Sequence, residues 1–372
     1  MIYKQSFFAI FCLTLAGFSG VAGAQYLRDG RIFDPGFVMS TRAEAAPEQL
    51  DEMAFYYGHW DVTYRTFRDD SLLHEARGLA RVNYMNRGHA IMERFHCIDF
   101  DGTGNELSTI SFLAYNAANS VWSMGVANSF TESIVAYSGT FADGDLVLTG
   151  SARRAGGVQL YLFEFSFTCI SDDAFDVELR ESTDFGKTWA RIVIKEYRRR
   201  AASDGFLTWT TEYGAAAPRL PREARQFDFL IGEWDAHQTI TVPSGQSVEF
   251  PSITTAVYTL NGHAVMECGW YDVDPSLPDA ATSLVRIYNR VTRRWECMYT
   301  TNRFNSVLFF GGVQEGTNIV LHLFDTDLAN PTIQYYVFHN IRQDGYDWFA
   351  QSSTDRGANF DTTWVINVTR RE

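Results

Sequence analysis

Beyond about residue 20 the sequence has no apolar run long enough to cross a bilayer, which takes about 20 consecutive apolar residues. It also lacks any dense cluster of lysine and arginine, and its formal net charge is -14. Such a chain has no basic surface with which to release counterions from a phosphate backbone, so nucleic acid is excluded as a partner. Cysteine is scarce. After the first stretch only Cys97, Cys169, Cys268 and Cys297 remain, and none sits in a C-x-x-C pair or at zinc-ligand spacing to a histidine. The histidines share no metal spacing either, and no metal or cofactor is expected. Cys268 and Cys297 fall on expected strands with one strand between them, too far apart for an easy bridge, so free buried thiols are expected.

What the first residues do have is a positive start at Lys4, an apolar run over 7–18 broken by Gly17, Ser19 and Gly20, and small residues Ala22, Gly23 and Ala24. This is the pattern of a cleavable signal peptide over 1–24, with cleavage after Ala24. No cysteine follows to take a lipid. The expected product is periplasmic or secreted, with no integral membrane span once the signal is removed. Residues 25–45 read as an N-terminal extension.

The rest of the chain repeats itself. Gly58-His59-Trp60-Asp61 recurs as Gly232-Glu233-Trp234-Asp235, a shift of 174 positions that also carries Gly88-His89-Ala90 onto Gly262-His263-Ala264 and Met92-Glu93 onto Met266-Glu267. The register then slips by one, so that Tyr115-Asn116 meets Tyr288-Asn289 and Trp122 meets Trp295. Near the ends, Glu181-Ser182-Thr183-Asp184-Phe185-Gly186 answers Ser352-Ser353-Thr354-Asp355-Arg356-Gly357. Ordered matches over whole units mark a tandem duplication. The boundaries follow as 46–202 for the first copy, 203–222 for an Ala, Pro and Gly-bearing linker between separately folded units, and 223–372 for the second.

Each copy opens with a short segment, near 47–56 and 221–229, that predicts one or two helical turns. Everything after it reads as strands, about ten per copy, broken by turn pairs such as Asp101-Gly102 and Asp143-Gly144. In Tyr161-Leu162-Phe163-Glu164-Phe165-Ser166-Phe167 every second residue is aromatic and shares one face. An antiparallel meander of this length closes on itself, because closure removes the unpaired edges. The fold class is therefore all-β, two tandem antiparallel barrels each preceded by a short helical segment, and a barrel of this size has room for one small ligand.

The Gly-x-Trp openings at Gly58/Trp60 and Gly232/Trp234, each followed by about ten strands, resemble the lipocalin and broader calycin arrangement. Phe227 to Asp235 and Glu181 to Trp189 are similar to a bacterial family of lipocalin-like domains of unknown function. The resemblance implies a late-strand arginine packed over each tryptophan, from among Arg198 to Arg200 and from Arg370 or Arg371. It lends a fold and no reaction. A haem-binding calycin family carries glycines two and four places after the tryptophan. Here those places hold Val62 and Tyr64, and Ala236 and Gln238, which counts against haem.

Strand alternation places His89, Ile91, Glu93 and Phe95 on one face, and His263 and Glu267 repeat the pattern. Four strand residues span about 13 Å at about 3.3 Å each, so His89 and Glu93 do not bond directly. Lining the same cavity wall, they would orient a polar group of an otherwise apolar ligand; the alternative is a turn-adjacent or solvent-facing role in a repeated hairpin. Trp60 and Trp234 either stack on a ligand or plug the barrel ends. Ser182 and Ser353 read as turn chemistry. The leading expectation is a non-catalytic protein holding a small apolar molecule. Behind it stand a structural module with filled barrels, and then an isomerase, cyclase or hydratase using cavity acids and bases.

Overall fold

The computed structural model describes residues 41–153, 160–201, 213–241, 245–271, 280–324 and 332–371. The expected signal peptide, residues 25–40 of the expected N-terminal extension and the first half of the expected linker lie outside the described residues. Each copy of the repeat closes into a ten-strand antiparallel barrel in which every strand pairs with its sequence neighbours and the last returns to the first. The Asp143-Gly144 turn shows why the chain reverses where it does. Both residues have positive φ, as a two-residue hairpin between Ser133–Ala142 and Asp145–Arg153 requires. No helix among the described residues is long and apolar enough to cross a membrane.

The closing pair of strands carries the Gly-x-Trp motif. Gly58–Arg68 pairs with Ala190–Arg199 so that Trp60 faces Arg199, and Gly232–Thr241 pairs with Asp361–Arg370 so that Trp234 faces Arg370. The guanidinium of Arg199 lies 4.3 Å over the Trp60 ring and that of Arg370 lies 4.1 Å over Trp234. Each arginine also donates to backbone carbonyls of the preceding segment, Phe55 and Tyr57 in one barrel, Phe229 and Ile231 in the other. The glycine exists to admit it. A Cβ at Gly58 would lie 2.5 Å from Arg199 Nη1, a Cβ at Gly232 would lie 2.6 Å from Arg370 Nη1, and both glycines have positive φ.

The helical turns expected before each barrel are 3-10 turns, Glu48–Tyr56 in the first copy and Arg222–Arg225 with Asp228–Leu230 in the second. They cap the barrel end. Leu50, Met53 and Tyr56 are buried in one, Phe227 and Leu230 in the other, and each tryptophan indole N–H donates to a carbonyl of its cap.

The barrels are packed against one another. Outward-facing Ile110 and Phe112 of the first meet Val257, Met266, Val285 and Ile287 of the second in one buried cluster. The strand Leu107–Asn116 is accordingly buried at eight consecutive positions, its inner face in its own barrel and its outer face in this seam. The contacts are reciprocal: Leu107–Asn116 packs on Phe304–Glu315, and its repeat equivalent Ala280–Asn289 packs on Ser133–Ala142. The duplicated chain thus forms, within one polypeptide, the self-complementary interface of a twofold dimer.

Polar groups ring this seam. Glu132 of the first barrel, its side chain 6% exposed, accepts hydrogen bonds from Arg290 and pairs with His263 Nδ1 at 3.0 Å. His89 Nδ1 lies 3.1 Å from Asn305 Oδ1, and Ser283 donates to Asn86 at 2.8 Å. Burial pushes the Glu132 carboxyl up, but the hydrogen bonds from His263 and Arg290 outweigh it and hold the carboxyl below its ordinary value of 4.5. Burial lowers the His89 imidazole below 6.5, against its hydrogen bond to Asn305 and helped by nearby Arg303. A depressed folded value means that the stability is present above the ordinary value and is lost as pH falls through the folded one, for both groups. The seam is therefore expected to weaken in acid, first below about pH 6.5 through His89 and then below about pH 4.5 through Glu132. Glu132→Gln should cost about 1–3 kcal/mol at pH 7 and flatten the fall in urea midpoint between pH 5 and pH 3. A variant whose acid limb parallels the parent would show that this carboxylate does not hold the seam.

Candidate functional site

The interiors of the two barrels differ. In the first, Phe95 stacks on Tyr64 with ring centroids 5.7 Å apart, Lys195 Nζ lies 4.1 Å over Phe95, and Tyr197 stacks on Phe175 at 4.3 Å. The repeat register assigns each of these a counterpart. Phe95 corresponds to Gly269, Tyr64 to Gln238, Lys195 to Ile366 and Tyr197 to Val368. Every exchange shortens a side chain or removes one. The second barrel accordingly contains a cavity of about 160 Å³, and all four replacement residues line it.

The wall is mostly aliphatic and aromatic, with Leu284, Phe310, Leu321, Trp348 and Trp364 among its residues. Several polar groups are already committed to one another. Gln238 donates to Ser252 and accepts from the Trp364 indole, and the Tyr336 hydroxyl donates to Gln334. Burial pushes the Tyr271 phenol up to about 12, so it is neutral at physiological pH.

Glu267 and Arg286 are the charged residues of the described lining, 2.6 Å apart. The arginine is the deep member, its side chain 3% exposed against 17% for the carboxylate. Its guanidinium lies 5.0 Å over Phe227 of the cap and 5.5 Å over Phe338. The equivalent carboxylate of the first barrel, Glu93, is buried and bonded to hydroxyls, that of Tyr197 at 2.5 Å and that of Ser111 at 3.4 Å, with the buried Lys195 near enough to feel its charge. Those two donors have become Val368 and Leu284, while Leu113 has become Arg286. A carboxylate inside the barrel persists in both copies, but its bonded partners are hydroxyls in the first and a guanidinium in the second.

No family model matches the chain, and no curated protein matches it. Similarity to solved structures is low. A Nostoc punctiforme protein of unknown function from the DUF3598 family is 9% identical, with 87% of this chain and 100% of that one covered and a TM-score of 0.28. An S-type phycobiliprotein lyase from Guillardia theta is 14% identical over 41% of this chain and 99% of its own, with a TM-score of 0.30. An M. tuberculosis protein is 12% identical over 41% of this chain and 100% of its own, also with a TM-score of 0.30.

Of the residues singled out in the sequence, Glu267 lines the cavity and Glu93 is buried inside the first barrel. His89 and His263 leave the alternation that would have aimed them inward. Each follows a tight turn, Asn86–Gly88 or Leu260–Gly262, containing two non-glycine residues with positive φ, and the strand proper begins one residue later at Ala90 or Ala264. Both imidazoles face the other barrel across the seam. Trp60 and Trp234 are fully buried under Arg199 and Arg370 at the capped ends. Ser182 and Ser353 form turns, each bonded to the aspartate two residues on and to the glycine N–H four residues on. All four described cysteines are free, and burial pushes the Cys268 and Cys297 thiols up to about 12. Arg286 and Gly269 were not singled out. The first was signalled by an arginine sharing a strand face with Leu284 and Tyr288, the second by a glycine standing where the other copy has Phe95.

Proposed function

We propose that the protein binds one small, largely apolar molecule in the second barrel, and that the first barrel serves as its structural support. The observation that carries this reading is the cavity at the place where the first barrel holds Phe95, Tyr64, Lys195 and Tyr197. An engineered cavity of about 150 Å³ with apolar walls binds benzene, which sets the scale of the guest. Acid–base catalysis is the weaker reading, because His89 and His263 are engaged at the seam and bring no imidazole to the cavity. The signal-like first residues support a periplasmic or secreted carrier.

Native mass spectrometry of the gently purified mature protein, followed by organic extraction, tests the proposal. One small organic molecule per chain is the expected result. A clean apo mass that stays unshifted by propylbenzene, naphthalene and short isoprenoids would remove the carrier reading.

A further inference from the structure

Resting on that reading, we infer that the guest is a neutral alcohol or phenol of about ten non-hydrogen atoms whose hydroxyl donates to Glu267. Three features of the cavity lead there. First, its charge is balanced. Glu267 and Arg286 form a close pair, and no other charged residue belongs to the described lining. A guest carboxylate or ammonium would bring an uncompensated charge into a space with apolar walls, so the polar end of the guest is uncharged.

Second, the member of the pair that opens on the cavity is the acceptor. Arg286 is 3% exposed and lies against Phe227 and Phe338, whereas Glu267 is 17% exposed. An ionised carboxylate accepts hydrogen bonds and donates none, so the complementary group is a donor. Third, Gln238 is spent on Ser252 and Trp364 and Tyr336 on Gln334, while Nε and Nη1 of Arg286 are buried and hold no hydrogen bond of their own. A hydroxyl both donates and accepts, so one small group answers the acceptor that Glu267 offers and the donors of the guanidinium beside it. The cavity volume of about 160 Å³ accommodates a single substituted ring or a short branched chain.

The test is a matched series at pH 7: 3-phenylpropan-1-ol, propylbenzene, 3-phenylpropanoate and 3-phenylpropylammonium. Binding is read by calorimetry and by fluorescence, since Trp348 and Trp364 line the cavity. The alcohol is expected to bind about tenfold more tightly than the hydrocarbon, and both ions more weakly than either. In Glu267→Met/Arg286→Met, which removes the pair together, the hydrocarbon should still bind and the preference for the alcohol should vanish. An alcohol no better than propylbenzene, an ion that binds tightest, or a preference that survives the double substitution overturns the inference while leaving the cavity a binding site. Failure of all four compounds overturns the carrier reading itself.

Discussion

Gly269→Phe is expected to lower the affinity of the second barrel for any cavity guest by at least about a hundredfold while leaving the barrel folded. The substitution restores the side chain of the first barrel but not the whole of its setting, since the Phe95 ring lies where Gly78 has no Cβ and the counterpart of Gly78 is Ser252. There Phe95 faces Thr109 on the next strand, as Gly269 faces Thr282, so the pair to be created already exists once in the molecule. The new Cβ would approach Thr282 Oγ1 to 2.6 Å and Thr254 Cγ2 to 3.5 Å. Both are side-chain atoms, and the first moves by rotation of Thr282. No positive φ obstructs a larger residue at this position. A phenyl ring takes up most of a space of about 160 Å³, so little is left for a guest. Filling the void and crowding Thr282 act in opposite directions on stability, and the net change should stay within about 2 kcal/mol. Titration of parent and variant with 3-phenylpropan-1-ol and with propylbenzene, alongside urea unfolding of both, makes the comparison. Undiminished binding by a folded variant would place the guest elsewhere.

The duplicated barrel was legible because its signals are local. Trp60 and Trp234 mark the first strands, turn pairs such as Asp143-Gly144 mark the reversals, and the arginine-rich ends hold Arg199 and Arg370 opposite those tryptophans. The seam was legible only in part. The run Leu107-Ser108-Thr109-Ile110-Ser111-Phe112-Leu113-Ala114 does not alternate as a strand with one wet face should, and its burial on both faces is the reason. What covers its outer face is set by residues about 150 to 200 positions away in the chain, which periodicity does not report. Unbroken alternation would aim His89 and His263 inward, and the left-handed residues Asn86, Arg87, Leu260 and Asn261 break it. The cavity was the least legible feature. A glycine in a strand declares that a side chain is missing, but the size of the void depends on Gln238, Ile366 and Val368, which only closure of the barrel brings to the same place.

Arg286→Met is expected to cost about 2–4 kcal/mol of unfolding free energy, and Glu267→Met/Arg286→Met to cost less than Arg286→Met alone. The reasoning turns on which charge is left behind. Removing the guanidinium strands the Glu267 carboxylate among Tyr346, Phe338 and Leu284 with its counter-charge gone. Breaking a fully buried pair costs about 3–5 kcal/mol, and the 17% exposure of Glu267 to the cavity softens the loss. Removing both groups leaves no charge to desolvate, and two methionines fill the space with flexible apolar atoms. A double-mutant cycle followed by urea unfolding should therefore give a coupling of at least about 1 kcal/mol, with the double variant above the additive value. The first barrel supplies an internal contrast. Glu93 is bonded to the hydroxyls of Tyr197 and Ser111, and the cation that feels its charge, Lys195, stands on the closing strand instead of bonding it as Arg286 bonds Glu267. Additive losses in the cycle would mean that Arg286 stabilises the second barrel through its contacts with Phe227 and Phe338 and not through Glu267. The carboxylate would then lack the fixed counter-ion that the recognition of a neutral hydroxyl requires.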